Sequence, residues 1–197
     1  MIKKINLILI ITSIVGSIYF IITRDNKLLF ILKDLSIILT INALYIIEKL
    51  FKVKFNVGIK FIYILFIFMA HFLGVICEFY SQIYWFDKFT HFLSGIVSSF
   101  GAIYVLYKCK KNNNVLFNVV FIISVALAVA SLWEIFEYTS SCLFSVDPQK
   151  VALTGVNDTM KDIIVAFLGS LSVSLSYIFE VKYNHNFLIN KYIKLIN

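Results

Sequence analysis

The sequence predicts an all-α, polytopic membrane protein: a bundle of about six transmembrane helices with the N- and C-termini in the cytoplasm. Hydrophobic residues make up 60% of the 197 residues, well above the roughly 45–50% of a typical soluble domain. One proline and seven glycines leave the apolar runs almost unbroken. Continuous apolar runs favour spanning helices, because the strands of a membrane barrel alternate in polarity.

Six stretches approach the roughly 17–25 apolar residues that a helix needs to cross the hydrocarbon. They are residues 5–23, 28–47, 60–79, 90–107, 115–138 and 161–180. The first is longer than the apolar core of a signal peptide and no A-x-A-like cleavage site follows it, so we expect an uncleaved span. The second is interrupted near its start by Lys33 and Asp34, which can reach an interface or neutralise each other.

The remaining four spans carry interface and packing signals. Aromatic residues fill the loop between the third and fourth spans, and Trp133 and Tyr138 mark the outer end of the fifth, as is typical of membrane–water interfaces. Small residues predict close helix packing in the fourth and sixth spans. They are Ser94, Gly95 and Ser98 in the fourth, and Gly169, Ser170 and Ser174 in the sixth. We find no linker or repeat, so we expect residues 1–197 to form a single integral membrane domain.

Charge sets the predicted orientation. With a cytoplasmic N-terminus, twelve of the 18 Lys and Arg residues fall on the inner side, in agreement with the positive-inside rule at every loop. Nine of the eleven acidic residues fall on the outer side or near the outer helix ends. The net charge of +7 is therefore a consequence of topology, so the expected partner is membrane lipid and not nucleic acid. Assembly into a homo-oligomer stays open.

Paired ionisable residues at helical spacing are concentrated at the outer helix ends. Such spacing places each pair on one helix face. The pairs are Asp87 with His91, Glu134 with Glu137, and Asp158 with Asp162, and Glu78 lies at the outer end of the third span. Because acidic side chains are costly in lipid, we expect them to face the bundle interior, where they repel one another unless protonated, paired or bound to metal.

Carboxylates combined with imidazole suit a divalent ion such as Mn²⁺, Zn²⁺, Fe²⁺ or Mg²⁺. We predict metal ligands at His91, Glu134, Glu137, Asp158 and Asp162. We predict that Asp87 or Glu78 serves as a general base or orients the ligands. The first hypothesis is therefore a metal-dependent enzyme whose substrate is a lipid head group or a lipid-linked phosphate. The sequence contains no nucleophile motif, phosphate loop or HExxH motif that would define the reaction.

Two other hypotheses remain at this stage. One is a structural protein, in which Lys88, Lys161, Lys33 or Arg24 pairs with the acids and Asp158 caps the sixth helix. The other is a cation- or proton-coupled transporter, for which intramembrane acids are typical. The sequence shows no inverted repeat, which counts against a transporter.

The polar segments also resemble a known family. Glu78-Phe-Tyr, Asp87-Lys-Phe-Thr-His91-Phe-Leu-Ser-Gly95, Trp133-Glu134-Ile-Phe-Glu137 and Thr154-Gly155-Val-Asn-Asp158-Thr-Met-Lys-Asp162 together resemble the YjdF-like group of bacterial inner-membrane proteins. The start of the fourth span is also similar, more weakly, to VanZ-type membrane proteins. The resemblance implies a multi-pass protein of the bacterial cell membrane. It also implies that the residues selected by charge and spacing are the family's pattern residues, but it implies no defined chemistry.

Overall fold

The computed structural model of the chain describes scattered residues 11, 14, 15 and 18, and the segments 27–52, 54–55, 57–109, 114–144, 147–183 and 188–196. All regular secondary structure in these segments is helical, which confirms the all-α prediction. The first predicted span, 5–23, lies almost wholly outside the described residues.

The described helices follow one another with short connections. They are α1 (Lys27–Phe51), α2 (Val57–Ile67) continuing as a π-helix (Phe68–Ile76), α3 (Phe79–Gln82), α4 (Phe86–Lys108), α5 (Val115–Phe144), α6 (Val151–Thr154), α7 (Asn157–Tyr183) and α8 (Ile189–Ile196). The chain divides into two compact units, Met1–Phe86 and Asp87–Asn197. The single membrane domain stays a prediction.

Four stretches of the described residues are long and apolar enough to cross a membrane: Val57–Ile76, Phe86–Lys108, Val115–Leu143 and Asn157–Tyr183. Their surfaces carry large apolar side chains, such as Leu116, which is 71% exposed, and Leu132, which is 64% exposed. Apolar exposure of this extent is suited to lipid and not to water. The count of about six spans and the orientation of the termini stay predictions.

In the first unit, α1 and α2 pack through an apolar cluster that includes Ile41 and Ile64. The third span differs from the prediction of 60–79, because its helix ends at Ile76 and Glu78 lies beyond it. The physical reason is local: Glu78 has a left-handed backbone (φ 59°), which an α-helix cannot continue through. Glu78 directly precedes α3 instead.

In the second unit, α4 and α7 approach closely at two glycines. A Cβ atom at Gly95 would collide with the backbone carbonyl of Ala166, and one at Gly169 with the carbonyl of Phe92. The hydroxyls of Ser99 and Ser170, both fully buried, share a hydrogen bond of 2.8 Å beside this crossing. These contacts confirm the predicted small-residue packing, which lets polar side chains at the helix ends meet.

Helix α5 completes this unit. It packs against α7, where the Asn118 amide donates a hydrogen bond of 2.8 Å to the Tyr177 hydroxyl. The helix runs six residues past its predicted end at 138, and α7 begins four residues before its predicted start at 161. Asp158 therefore lies in the first turn of α7, and Glu134 and Glu137 lie well inside α5.

The segment after Glu180 contains a helix of its own, α8. The Glu180 carboxylate accepts hydrogen bonds from the backbone amides of Leu188, Ile189 and Asn190 at 2.6, 2.6 and 2.9 Å, and so caps the N-terminus of α8. The Tyr192 hydroxyl then donates to the carbonyl of Phe100 at 3.0 Å. Burial raises the pKa of Tyr192 above its ordinary value.

Candidate functional site

The second unit brings together six of the seven predicted site residues, which we name the outer cluster: Asp87 and His91 from α4, Glu134 and Glu137 from α5, and Asp158 and Asp162 from α7. Each pair shares a helix face because of its three- or four-residue spacing. The close crossing of α4 and α7 brings two of those faces together. Asp158 and Glu134 are both buried, at 9% and 5% exposure, so neither points to open solvent.

Lys88 lies at the centre of the aspartates. Its ammonium nitrogen is 2.5 Å from Asp158 Oδ1, and 2.8 and 2.9 Å from the two oxygens of Asp162. It also contacts Asp87 Oδ2 at 3.3 Å. One lysine therefore neutralises part of the charge of three carboxylates from two helices.

A second lysine reaches the same carboxylates from the loop between α5 and α6. Lys150 Nζ is 2.7 Å from Asp87 Oδ2 and 3.4 Å from Asp158 Oδ2. Burial opposes the charge of Lys150, but the hydrogen bond to Asp87 and the nearby carboxylates outweigh it and raise the pKa of Lys150 above its ordinary value. Lys150 is therefore fully charged at neutral pH.

Three donor atoms form a compact group beside these lysines. Ligand atoms of Asp87, His91 and Asp162 all lie within 4.8 Å of one another. His91 Nε2 is 3.8 Å from Asp87 Oδ1 and 3.7 Å from Asp162 Oδ1. Donors around one ion bonded at about 2.0–2.2 Å lie about 3–4 Å apart, so small side-chain rotations would bring these three to a metal.

Glu134 occupies an unusual environment within the cluster. Its Oε2 accepts a hydrogen bond of 3.0 Å from the Gln149 amide, which also donates to the Glu134 carbonyl at 3.1 Å. Its other oxygen, Oε1, is buried and has no hydrogen-bond partner among the described residues. A buried carboxylate oxygen without a partner is costly, and a cation would satisfy it. Glu134 also interacts electrostatically with His91 and Asp162.

Glu137 lies one turn further along α5. Its Oε1 accepts a hydrogen bond of 2.9 Å from the Trp133 indole, and its charge interacts with those of Glu134, Asp87 and Asp162. Trp133 thus fixes the orientation of the side chain.

The cluster carries more negative than positive charge. Five carboxylates belong to it, and the cations that pair with it in the described residues are Lys88 and Lys150. With all five carboxylates ionised and both lysines charged, these side chains carry a net charge of −3, and Glu134 and Glu137 have no ion pair among the described residues. Such an excess in a buried site attracts protons or a divalent cation.

The sequence profile of a family named DUF2238, described as a predicted membrane protein family, matches residues 5–182. The chain belongs to the DUF2238 family. The match extends well beyond the polar segments, since it includes the first two predicted spans. It confirms a membrane protein, and the YjdF-like resemblance is consistent with it. No curated protein and no solved structure shows significant similarity to the chain.

Within this DUF2238 chain, Glu78 is the one predicted site residue outside the second unit. It lies in the first unit between the π-helix and α3, where its carbonyl accepts hydrogen bonds from the amides of Ser81 and Gln82 at 3.0 Å. Its predicted catalytic role stays a prediction.

The sequence reasoning missed two residues that bind the outer cluster, Lys150 and Gln149. Both lie in the loop before α6, and neither forms a helical pair with an acid. The sequence signal that could have identified Lys150 was its location on the outer side in the predicted topology, the same side as the acids. Of the four predicted cationic partners, the structure pairs Lys88 with the cluster, while Lys161 is exposed. Arg24 lies outside the described residues, and so does the side chain of Lys33.

Proposed function

We propose that this protein is a metal-dependent membrane enzyme that acts on a lipid head group or a lipid-linked phosphate, with Asp87, His91 and Asp162 holding a divalent ion. The observation that carries the proposal is the convergence of these three donors, from α4 and α7, to within 4.8 Å. The site would lie on the outer side of a bacterial inner membrane, as the charge distribution predicts.

The chemistry of the surroundings fits an ion. Two carboxylates and one imidazole form a donor set suited to Mn²⁺, Zn²⁺, Fe²⁺ or Mg²⁺. The cluster has unpaired negative charge, and the unpartnered Glu134 Oε1 offers a further ligand atom. Glu137 and Asp158 remain proposed ligands that would complete the coordination or replace one of the three.

A bound ion would polarise a phosphoryl oxygen or lower the pKa of a water molecule. The protein's own residues would hold and orient it. Asp87 Oδ1 and Asp162 Oδ1 flank the His91 ring nitrogen, and Trp133 orients Glu137. Asp87 could also accept a proton from a water molecule, the role predicted from the sequence.

The proposal is tested by quantifying metal in detergent-purified full-length protein. We expect about one divalent ion per chain, and Asp162→Asn should weaken Mn²⁺ or Zn²⁺ affinity by about tenfold or more, because a charged ligand is lost. Asp147→Asn is the matched control, since the Asp147 carboxylate is exposed and accepts hydrogen bonds from the amides of Val151 and Ala152. The control should keep the wild-type metal content.

A second candidate function is structural, and the contacts of Lys88 with three aspartates favour it. A pure ion-pair network predicts no metal at any stage. It also predicts that Asp162→Asn loses stability, because Lys88 keeps only Asp87 and Asp158 as ion-pair partners. Metal-free wild-type protein whose melting temperature does not change on adding Mn²⁺, Zn²⁺ or Mg²⁺ would make this the leading candidate.

The transport alternative gains no support from the described residues. Glu180, the buried acid near the opposite end of α7, has both carboxylate oxygens bound to backbone amides of α8. A carboxylate fixed in this way acts as a helix cap, and a carrier of ions must bind and release its cargo.

A further inference from the structure

Lys88 and Lys150 come from different elements, but they meet on the same two carboxylates. Lys88 belongs to the first turn of α4 and Lys150 to the loop before α6. Both contact Asp87 Oδ2, at 3.3 and 2.7 Å, so their ammonium groups lie no more than 6.0 Å apart. Asp158 bridges them a second time, with one oxygen on each lysine, at 2.5 and 3.4 Å.

The backbone holds Lys150 in an uncommon conformation. Its φ and ψ are 55° and 30°, in the left-handed region that few non-glycine residues adopt. The preceding residue, Gln149, is buried and fixed to Glu134 by two hydrogen bonds. The loop therefore directs the Lys150 side chain toward the cluster, and the side chains of both lysines remain partly exposed, at 27% and 37%. A ligand can approach them from outside.

We propose that Lys88 and Lys150 form an anion subsite for a phosphate group of the substrate, and that the Asp87 carboxylate occupies the position of a phosphate oxygen in the present structure. Two ammonium groups beside one oxygen match the way that lysines bind phosphate. The inference rests on the proposed function, because Asp87 presents Oδ1 to His91 and Oδ2 to the lysines. An ion bound between Asp87 and His91 would draw the Asp87 carboxylate away from both lysines, and their remaining carboxylate contacts would be Asp158 and Asp162.

The surface next to Lys150 indicates that the phosphate is carried by a lipid. Three apolar side chains of the segment 151–156 are exposed: Val151 at 51%, Leu153 at 88% and Val156 at 70%. Exposed apolar side chains next to the end of a membrane helix favour contact with the lipid interface. A phosphate attached to a lipid would therefore reach Lys150 from the membrane, and free phosphate would arrive from water.

The test removes the competing carboxylate and needs no metal. Inorganic phosphate binding to full-length protein is measured by calorimetry in chelator. We expect Asp87→Asn to bind phosphate at least tenfold more tightly than wild type, because the lysines lose an internal anion. Lys150→Gln in that background should remove the gain, since a charge-assisted contact accounts for about tenfold or more in affinity. Lys161→Gln in the Asp87→Asn background is the matched control and should keep the gain in phosphate affinity, because Lys161 is exposed and forms no described contact with the cluster.

A second variant covers the case in which Asp87→Asn does not fold. Asp158→Asn removes the other carboxylate shared by the two lysines and should also strengthen phosphate binding. If both monodisperse variants bind phosphate no better than wild type, or if Lys150→Gln changes nothing, the subsite is wrong. Metal content of the wild type is a separate measurement. Wild-type protein that binds metal, with aspartate variants that gain no phosphate affinity, would overturn the subsite and leave the proposed function standing.

The source of the phosphate is decided with nanodiscs. Asp87→Asn protein should retain phosphatidic acid in preference to diacylglycerol, and this lipid should compete with inorganic phosphate at lower concentration. Equal competition by lipid-borne and free phosphate would overturn the assignment to a lipid.

Discussion

At the scale of single residues, Glu134 is the clearest sign that the cluster has a purpose beyond packing. This carboxylate is buried inside α5, with one oxygen bound by Gln149 and the other without a hydrogen-bond partner among the described residues. A packing role would be filled as well by glutamine, which has the same shape and no charge. A glutamate in this position is expected where the charge itself is used.

Replacement of Glu134 by Gln distinguishes the contribution of its charge to protein stability from its contribution to metal binding. We expect the apo-protein to melt at the same or a higher temperature, because the buried anion is removed and the Gln149 hydrogen bond can persist. We expect the metal affinity to fall about 10–100-fold. Thermal unfolding and metal titration of one preparation measure both.

Gln149→Ala provides the contrasting variant. It leaves Glu134 charged but removes the two hydrogen bonds that the Gln149 amide donates to it, so it should lower the melting temperature by an amount corresponding to about 1–3 kcal/mol and keep the metal. A destabilised Glu134→Gln protein with unchanged metal affinity would assign Glu134 a structural role.

At the scale of helices, the two acids on the predicted cytoplasmic side behave differently from the outer acids. Glu48 accepts hydrogen bonds from the Phe55 amide at 2.7 Å and from Lys60 at 2.9 Å. Burial opposes its charge, but these hydrogen bonds outweigh it and hold the pKa of Glu48 below its ordinary value. Glu180 likewise binds the backbone that follows it. Both accept hydrogen bonds from backbone amides that follow them in the chain, whereas the described partners of the acids of the outer cluster are side chains.

The crossing of α4 and α7 gives a prediction for Gly95. Gly95→Ala should destabilise the protein by about 1–3 kcal/mol, because the new Cβ would meet the Ala166 carbonyl and force the helices apart. Gly101→Ala on the same helix is the control: nothing lies within 4 Å of its Cβ position, so removing a mid-helix glycine should stabilise by about 0.5–1 kcal/mol. Thermal unfolding in one detergent compares them. Equal shifts for the two variants would contradict this account of the crossing.

At the scale of the whole molecule, the orientation of the chain decides on which side of the membrane the outer cluster lies. Native Cys109 is free and exposed just after α4, on the predicted cytoplasmic side. Ser81 is exposed in α3, on the predicted outer side. The two residues therefore report on opposite faces of the membrane.

Labelling of intact cells with a membrane-impermeant maleimide should leave Cys109 unmodified until the cells are opened. Ser81→Cys, introduced after the three native cysteines are replaced by serine, should react from outside. The physical reason is the concentration of Lys residues in the loops assigned to the cytoplasm. Labelling of Cys109 in intact cells would reverse the topology and place the outer cluster on the cytoplasmic side.

The sequence by itself determined the class of the protein and the membership of the outer cluster. Apolar runs predict helices because every backbone group must be satisfied within lipid. Helical spacing and the cost of burying acids predicted that Asp87, Glu134 and Asp162 would turn inward, and the described side chains are buried or half-buried as that reasoning requires. These inferences depend on local spacing and on transfer free energies, which a sequence carries directly.

Only the tertiary structure decided how that charge is distributed. The pairing of Lys150 with Asp87, 63 residues apart, and the anchoring of Gln149 on Glu134 depend on where an irregular loop folds back. The left-handed turn at Glu78 and the capping of α8 by Glu180 likewise depend on backbone conformations outside the periodic helices. Loop geometry and long-range pairing arise from contacts between elements, so periodicity and composition could identify the acids but not their partners.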